Sequence, residues 1–70
     1  MGRQTPAAEW RRLTPTQQRA LDVMGEAEPI ALPWHVLRPL LQRDLAEPRR
    51  SGHILTPFGV EVRDFGRRGR

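Results

Sequence analysis

Arginine is the residue type through which this chain can do most chemistry. All twelve of its basic residues are arginine, eight acidic residues oppose them, and the net charge is +4. A guanidinium fork hydrogen-bonds a phosphate or a guanine edge at two points at once, which a lysine ammonium cannot do. A high-GC genome also writes arginine where lysine would serve. The net positive charge is independent of that bias and favours a polyanionic partner.

Other chemistries lack their residues. His35 and His53 have neither a carboxylate nor a second histidine at ligand spacing, and a zinc site needs about four such groups. Ser51 is the one serine, and beside Gly52 it reads as a turn residue rather than a nucleophile. No Gly-rich phosphate loop is present. The carboxylates are scattered singly, as on solvated helix faces. We therefore expect no enzyme, no cofactor and no metal.

With 70 residues the chain is one domain. A domain this short buries only about 60% of its unfolded surface. It has no cysteine for a disulfide or a thiolate site, so its two Trp and two Phe residues matter to the core. A second copy, a nucleic acid or a partner protein can complete so small a core, which leaves both monomer and homodimer open. The longest charge-free run, Pro29 to Leu37, contains two prolines and is far short of the ~20 residues of a membrane span. No apolar run follows Met1, so no signal peptide and no membrane partner are expected, and the cytoplasm is the expected location.

The elements that must position the arginines follow in chain order. Residues 1–9 read as a flexible N-terminal arm. Trp10 can fold back on the core, the commoner use of an aromatic, or stack on a base with Arg11 and Arg12 on phosphates. Thr14-Pro15-Thr16-Gln17 has the capping-box pattern, with proline at the first helical position. The helix it starts runs to about Ala27, with Ala20, Leu21, Met24 and Ala27 on one face and Leu13 and Val23 near it. Gly25 can end it earlier. Pro29 and Pro33 then break the chain.

Pro33 to Glu47 reads as a second helix, with Trp34, Leu37, Leu41 and Leu45 on one face and Leu40 beside them. His35, Gln42 and Arg43 point away from that stripe, and Arg38 lies at its border. Pro39 either kinks this helix or splits it into a turn over Pro33–Leu37 and a helix from Pro39. Ala46 to Leu55 reads as a hairpin. Pro48 confines its first strand to an edge, Ser51-Gly52 makes the turn, and Arg49 and Arg50 lie at the tip. Residues Thr56 to Phe65 have two readings. As a helix, Thr56 caps and Phe58, Val62 and Phe65 form a stripe. As a hairpin, Thr56-Pro57-Phe58-Gly59 is a type I turn. Residues 66–70, Gly-Arg-Arg-Gly-Arg, read as a disordered basic tail that adds phosphate contacts.

The order of a helix ending near Leu45, a basic hairpin and the step Leu55-Thr56-Pro57-Phe58-Gly59 resembles the wing of winged-helix DNA-binding proteins, especially the MarR-type regulators. The resemblance extends over roughly Thr14 to Phe65. It implies an α+β fold over residues 10–65: a small winged-helix-like domain of two to three helices with an antiparallel hairpin wing, and a helix after Thr56. A standard winged helix has a whole middle helix where this chain has only residues 28–33, so either that helix is reduced to a turn in a truncated module or the module is an unusual one.

The resemblance further implies a small transcriptional regulator that binds double-stranded DNA, of a size suited to a phage or plasmid. Its second helix would approach the major groove through Arg38, Gln42 and Arg43. Arg49 and Arg50 in the wing would meet the flanking backbone, and Arg67, Arg68 and Arg70 would add affinity without sequence information. Two rival readings use the same surface. One is a protein-interaction module of winged-helix type that docks on an acidic face of a machine such as RNA polymerase, with Arg and Trp as anchors. The other is RNA binding through shape or unpaired bases.

Overall fold

Threonine followed by proline starts three of the helices. The structure is a computed structural model that describes residues 5–69, and residues 1–4 and Arg70 lie outside it. The elements run α1 (Pro6–Arg12), α2 (Pro15–Val23), α3 (Trp34–Gln42), β1 (Ala46–Arg49), β2 (Gly52–Leu55) and α4 (Pro57–Arg68). The fold class is the α+β expected, with four helices in place of two to three and one antiparallel hairpin. No helix among the described residues is long and apolar enough to cross a membrane.

Thr5, Thr14 and Thr56 each cap the helix that follows, accepting from the amides of Ala8, Gln17 and Gly59. At α2 the capping box is complete, because Gln17 Oε1 also accepts from the Thr14 amide at 2.9 Å. The proline after each cap costs nothing, since a first-turn N–H has no partner inside the helix.

Two expected boundaries at the ends of the chain are corrected. The arm expected over residues 1–9 is helical from Pro6, and only its residues 1–4 lie outside the described part. The physical cause is the Thr5 cap together with the Trp10 ring, which lies on α4 at Gly66. The tail expected to be disordered over 66–70 continues α4 through Arg68, held by the same contact and by Arg67 on Asp22. Residues 57–65 are helix, not the second strand of a hairpin.

Helix α2 stops at Val23 rather than Ala27, at the earlier end that Gly25 offered. Tertiary hydrogen bonds draw the next residues alongside β2: Leu55 donates to the Gly25 carbonyl, and Ile30 and His53 exchange both backbone bonds. Val23 and Ala27, expected on or near the core face, are exposed. No helix forms between Met24 and Pro33.

Helix α3 runs unbroken through Pro39. The proline removes the bond to the His35 carbonyl, and His35 is on the exposed side, where water supplies a donor. The helix ends at Gln42 rather than Glu47 because a Schellman motif closes it. The Leu45 amide bonds the Leu40 carbonyl and the Asp44 amide bonds the Leu41 carbonyl, with Asp44 at φ 61°. Aspartate thus occupies the left-handed position that glycine normally fills.

In the hairpin, Ala46 pairs with Leu55, Glu47 with Ile54, Pro48 with His53 and Arg49 with Gly52. The two-residue turn is therefore Arg50-Ser51, one position earlier than Ser51-Gly52. His53 directs its N–H and C=O to Ile30, so the Pro48–His53 pair needs no hydrogen bond from proline. Gly52 has φ 153°, and a Cβ there would meet the Ile30 carbonyl.

Thr56 joins the hairpin to the helices. It is buried; its hydroxyl donates to the Asp44 carbonyl at 2.6 Å and accepts from the Gly59 amide at 2.9 Å. Its own amide bonds the Leu45 carbonyl at 3.1 Å. Gly59 lies so close to that carbonyl that a Cβ would overlap it. Around this junction the core gathers Leu21, Met24, Leu37, Leu40, Leu45 and Val62.

Two outcomes follow for stability. Gly59→Ala is expected to cost about 2–4 kcal/mol by pushing α4 off Leu45. Urea unfolding measures this, and a midpoint equal to the parent's would contradict the contact. Asp44→Gly is expected to raise stability by about 0.5–1 kcal/mol by relieving the left-handed backbone. A lowered midpoint in the same assay would contradict that account.

Candidate nucleic-acid interface

Helix α3 turns about 100° per residue, so burial fixes which side faces out. Val36, Leu37 and Leu40 are buried, and Trp34, His35, Arg38 and Gln42 on the opposite side are all exposed. Trp34, expected in the core stripe, is instead 63% exposed. The stripe read from Trp34, Leu37, Leu41 and Leu45 is rotated from the true one, because the segment folds on Val36 and Leu40. Arg38 and Gln42 do share a face.

Arg43 does not share it. Its Nη1 donates to Glu9 Oε2 at 2.8 Å, with the Arg43 side chain 33% exposed and the Glu9 side chain fully buried. Glu9 Oε1 is buried without a hydrogen-bond partner. The residue expected at the groove is thus the counter-ion of a carboxylate that α1 carries into the interior. No spacing rule reaches across the 34 positions between them.

The wing presents Arg49 and Arg50 differently. Arg49 is exposed but bridged to Glu47, and it donates to the Pro48 carbonyl at 2.9 Å. Arg50, in the turn, is exposed and has no ion pair among the described residues. At the far end of α4, Arg67 donates to both the side chain and the backbone carbonyl of Asp22, at 3.3 and 3.2 Å. It ties α4 to the end of α2. Arg68 is exposed beyond it, and Arg70 lies outside the described residues.

Arg63, which the spacing did not single out, bridges Glu26 and Asp64 at 3.0 and 3.1 Å with its side chain 11% exposed. Burial pulls its pKa down, but the hydrogen bonds and charges of Asp64 and Glu26 outweigh this, and the net shift is upward. It is a structural cation. On α1, the Arg11 guanidinium lies 6.0 Å from the Phe65 ring centroid.

Some arginines hold elements together and others face solvent without an ion pair among the described residues, Arg12, Arg19 and Arg68 among the latter. Arg43, Arg63 and Arg67 hold elements together. Arg38 and Arg50 extend from the outer face of α3 and the tip of the wing with no acidic partner among the described residues. No carboxylate occurs from Pro29 to Arg43, so the surface of α3 is uniformly neutral or cationic. No family model, curated protein or solved structure matches the chain.

Replacing Arg43 by alanine strands the Glu9 carboxylate. The expected loss is about 2–4 kcal/mol, moderated because part of the guanidinium is already in water. The double variant Glu9→Leu/Arg43→Leu is expected to recover most of it. Thermal unfolding of the three proteins checks this, and an Arg43→Ala protein as stable as the parent would contradict a structural role.

Proposed function

We infer that the protein binds double-stranded DNA through the outward face of α3 and the tip of the β1–β2 wing, and acts in the cytoplasm as a small transcriptional regulator of winged-helix type. The observation that carries this reading is the placement of two exposed cations, Arg38 and Arg50, that have no ion pair among the described residues. Arg38 sits on an exposed helix face with Gln42 and without any carboxylate, and Arg50 sits at the end of a projecting hairpin. Arginine can bond a guanine edge and glutamine an adenine edge, each contributing about 1–3 kcal/mol of discrimination. From Trp34 to Gln42 the face is about 12 Å long, which spans three to four base pairs at about 3.4 Å each.

The reading differs from a standard helix-turn-helix, because one helix alone lies between Ile30 and β1. That helix must both pack on the core and present the binding face. Its buried side, Val36, Leu37 and Leu40, anchors it, and its opposite side is free.

A protein-interaction module is the second reading, favoured by the exposed indole of Trp34. The two diverge under charge reversal. Arg49→Glu/Arg50→Glu is expected to abolish binding to duplex DNA of any sequence at about 100 mM salt. Arg50→Glu alone should cause most of the loss, since Arg49 already has Glu47 as a partner. Titration of a random duplex library at several salt concentrations is the assay. The parent's affinity should fall steeply with salt, and a double variant that binds like the parent would sink the wing assignment.

A further inference from the structure

The indole of Trp34 is the most anomalous side chain on the outer face of α3. A tryptophan commonly buries about 150–250 Å² on folding. This one remains 63% exposed in the first turn, one turn before Arg38 and two before Gln42. Along the chain no carboxylate occurs between Glu28 and Asp44, so α3 itself presents no negative charge to a polyanion. The apolar ring therefore lies one turn from this cation on the same helix face, where a ligand that neutralises Arg38 can also cover Trp34.

In the major groove of duplex DNA, the apolar feature on the base edges is the C5-methyl group of thymine. The other groups there are hydrogen-bond donors and acceptors. An indole face has no use for those groups and can bury a methyl. We propose that Trp34 is a specificity contact of this protein, packing its ring on a thymine methyl while Arg38 and Gln42 engage base edges or phosphates farther along α3. This rests on the DNA-binding reading. The indole N–H, at the ring edge, stays available to donate to a neighbouring base or phosphate acceptor. His35, adjacent on the helix, is exposed and adds a second polar group to the same end of the face.

The test compares two short duplexes, alternating dA–dT and the same sequence with deoxyuridine in place of thymidine. They have the same phosphates and hydrogen-bonding groups and differ in the methyl. The parent is expected to bind the uridine duplex about fourfold more weakly for each methyl contacted, the affinity equivalent of one buried methyl group. Trp34→Ala should bind both duplexes equally. Its unfolding midpoint should fall only modestly, because most of the ring is already exposed. Equal binding of both duplexes by the parent would overturn the methyl contact while leaving the DNA reading intact. Discrimination that persists in Trp34→Ala would do the same. A parent that binds neither duplex would overturn both. Loss of a dimer in Trp34→Ala, with DNA binding unchanged, would assign the ring to a second copy of the chain and reject the proposal.

Discussion

The carbonyl of Leu45 is the point on which the rest of the structure depends. It accepts the Thr56 amide, and Gly59 rests against it where no side chain fits. The neighbouring Asp44 carbonyl takes the Thr56 hydroxyl. Through these three contacts the residues that end α3 are fixed to the residues that start α4, and the hairpin between them is closed at its base. Thr56 serves three purposes at once: it caps α4, it satisfies a carbonyl exposed where α3 ends, and it ends β2. The step Leu55-Thr56-Pro57-Phe58-Gly59 thus has a physical reason at each of its small or capping positions. Proline at the first helical position needs no N–H, and glycine at the third allows the close approach.

Fixing that junction fixes what faces outward. With Leu40, Leu45 and Val62 in the core, α3 can present only Trp34, His35, Arg38 and Gln42 to solvent. The wing projects from the same junction, with its tip at Arg50-Ser51. β2 is supported on its other side by Ile30, so the hairpin is not an isolated two-stranded ribbon, which would be marginal in water. The ion pairs Arg43–Glu9, Arg63–Glu26 and Arg67–Asp22 lie between elements rather than on the proposed face. Arg38 and Arg50 have no such partner among the described residues, as is also true of Arg12, Arg19 and Arg68 elsewhere on the surface, whereas Arg49 in the wing is bridged to Glu47.

Local signals were the legible part of the sequence. The Thr14–Gln17 capping box, the edge position of Pro48 and the restart at Thr56 each depend on residues within a few positions of one another, and each has its expected place. Thr5-Pro6 carried the same signal as Thr14-Pro15, and reading that repeat would have found α1. Long-range contacts decided the rest. Helix α2 ends early because Gly25 and Ile30 pair with β2, and α3 ends early because Asp44 takes a left-handed conformation more typical of glycine. Arg43 could not be separated from Arg38 and Gln42 without knowing that α1 brings a buried Glu9 beside it. Trp34 misled through its size: as the largest apolar residue of its segment it set the phase of the stripe, yet the helix packs by Val36, Leu37 and Leu40.

On the proposal above, the outer face of α3 and the wing tip together meet duplex DNA. Backbone amide NMR of the protein during titration with a random-sequence duplex tests it most directly, because it locates the contact rather than only detecting it. Shifts are expected to concentrate at Trp34, His35, Arg38 and Gln42 and at Arg49 to Ser51, with little change at Val23 or at Glu26 to Glu28. Shifts confined to α1 and the end of α4, or an unchanged spectrum at saturating DNA, would contradict it.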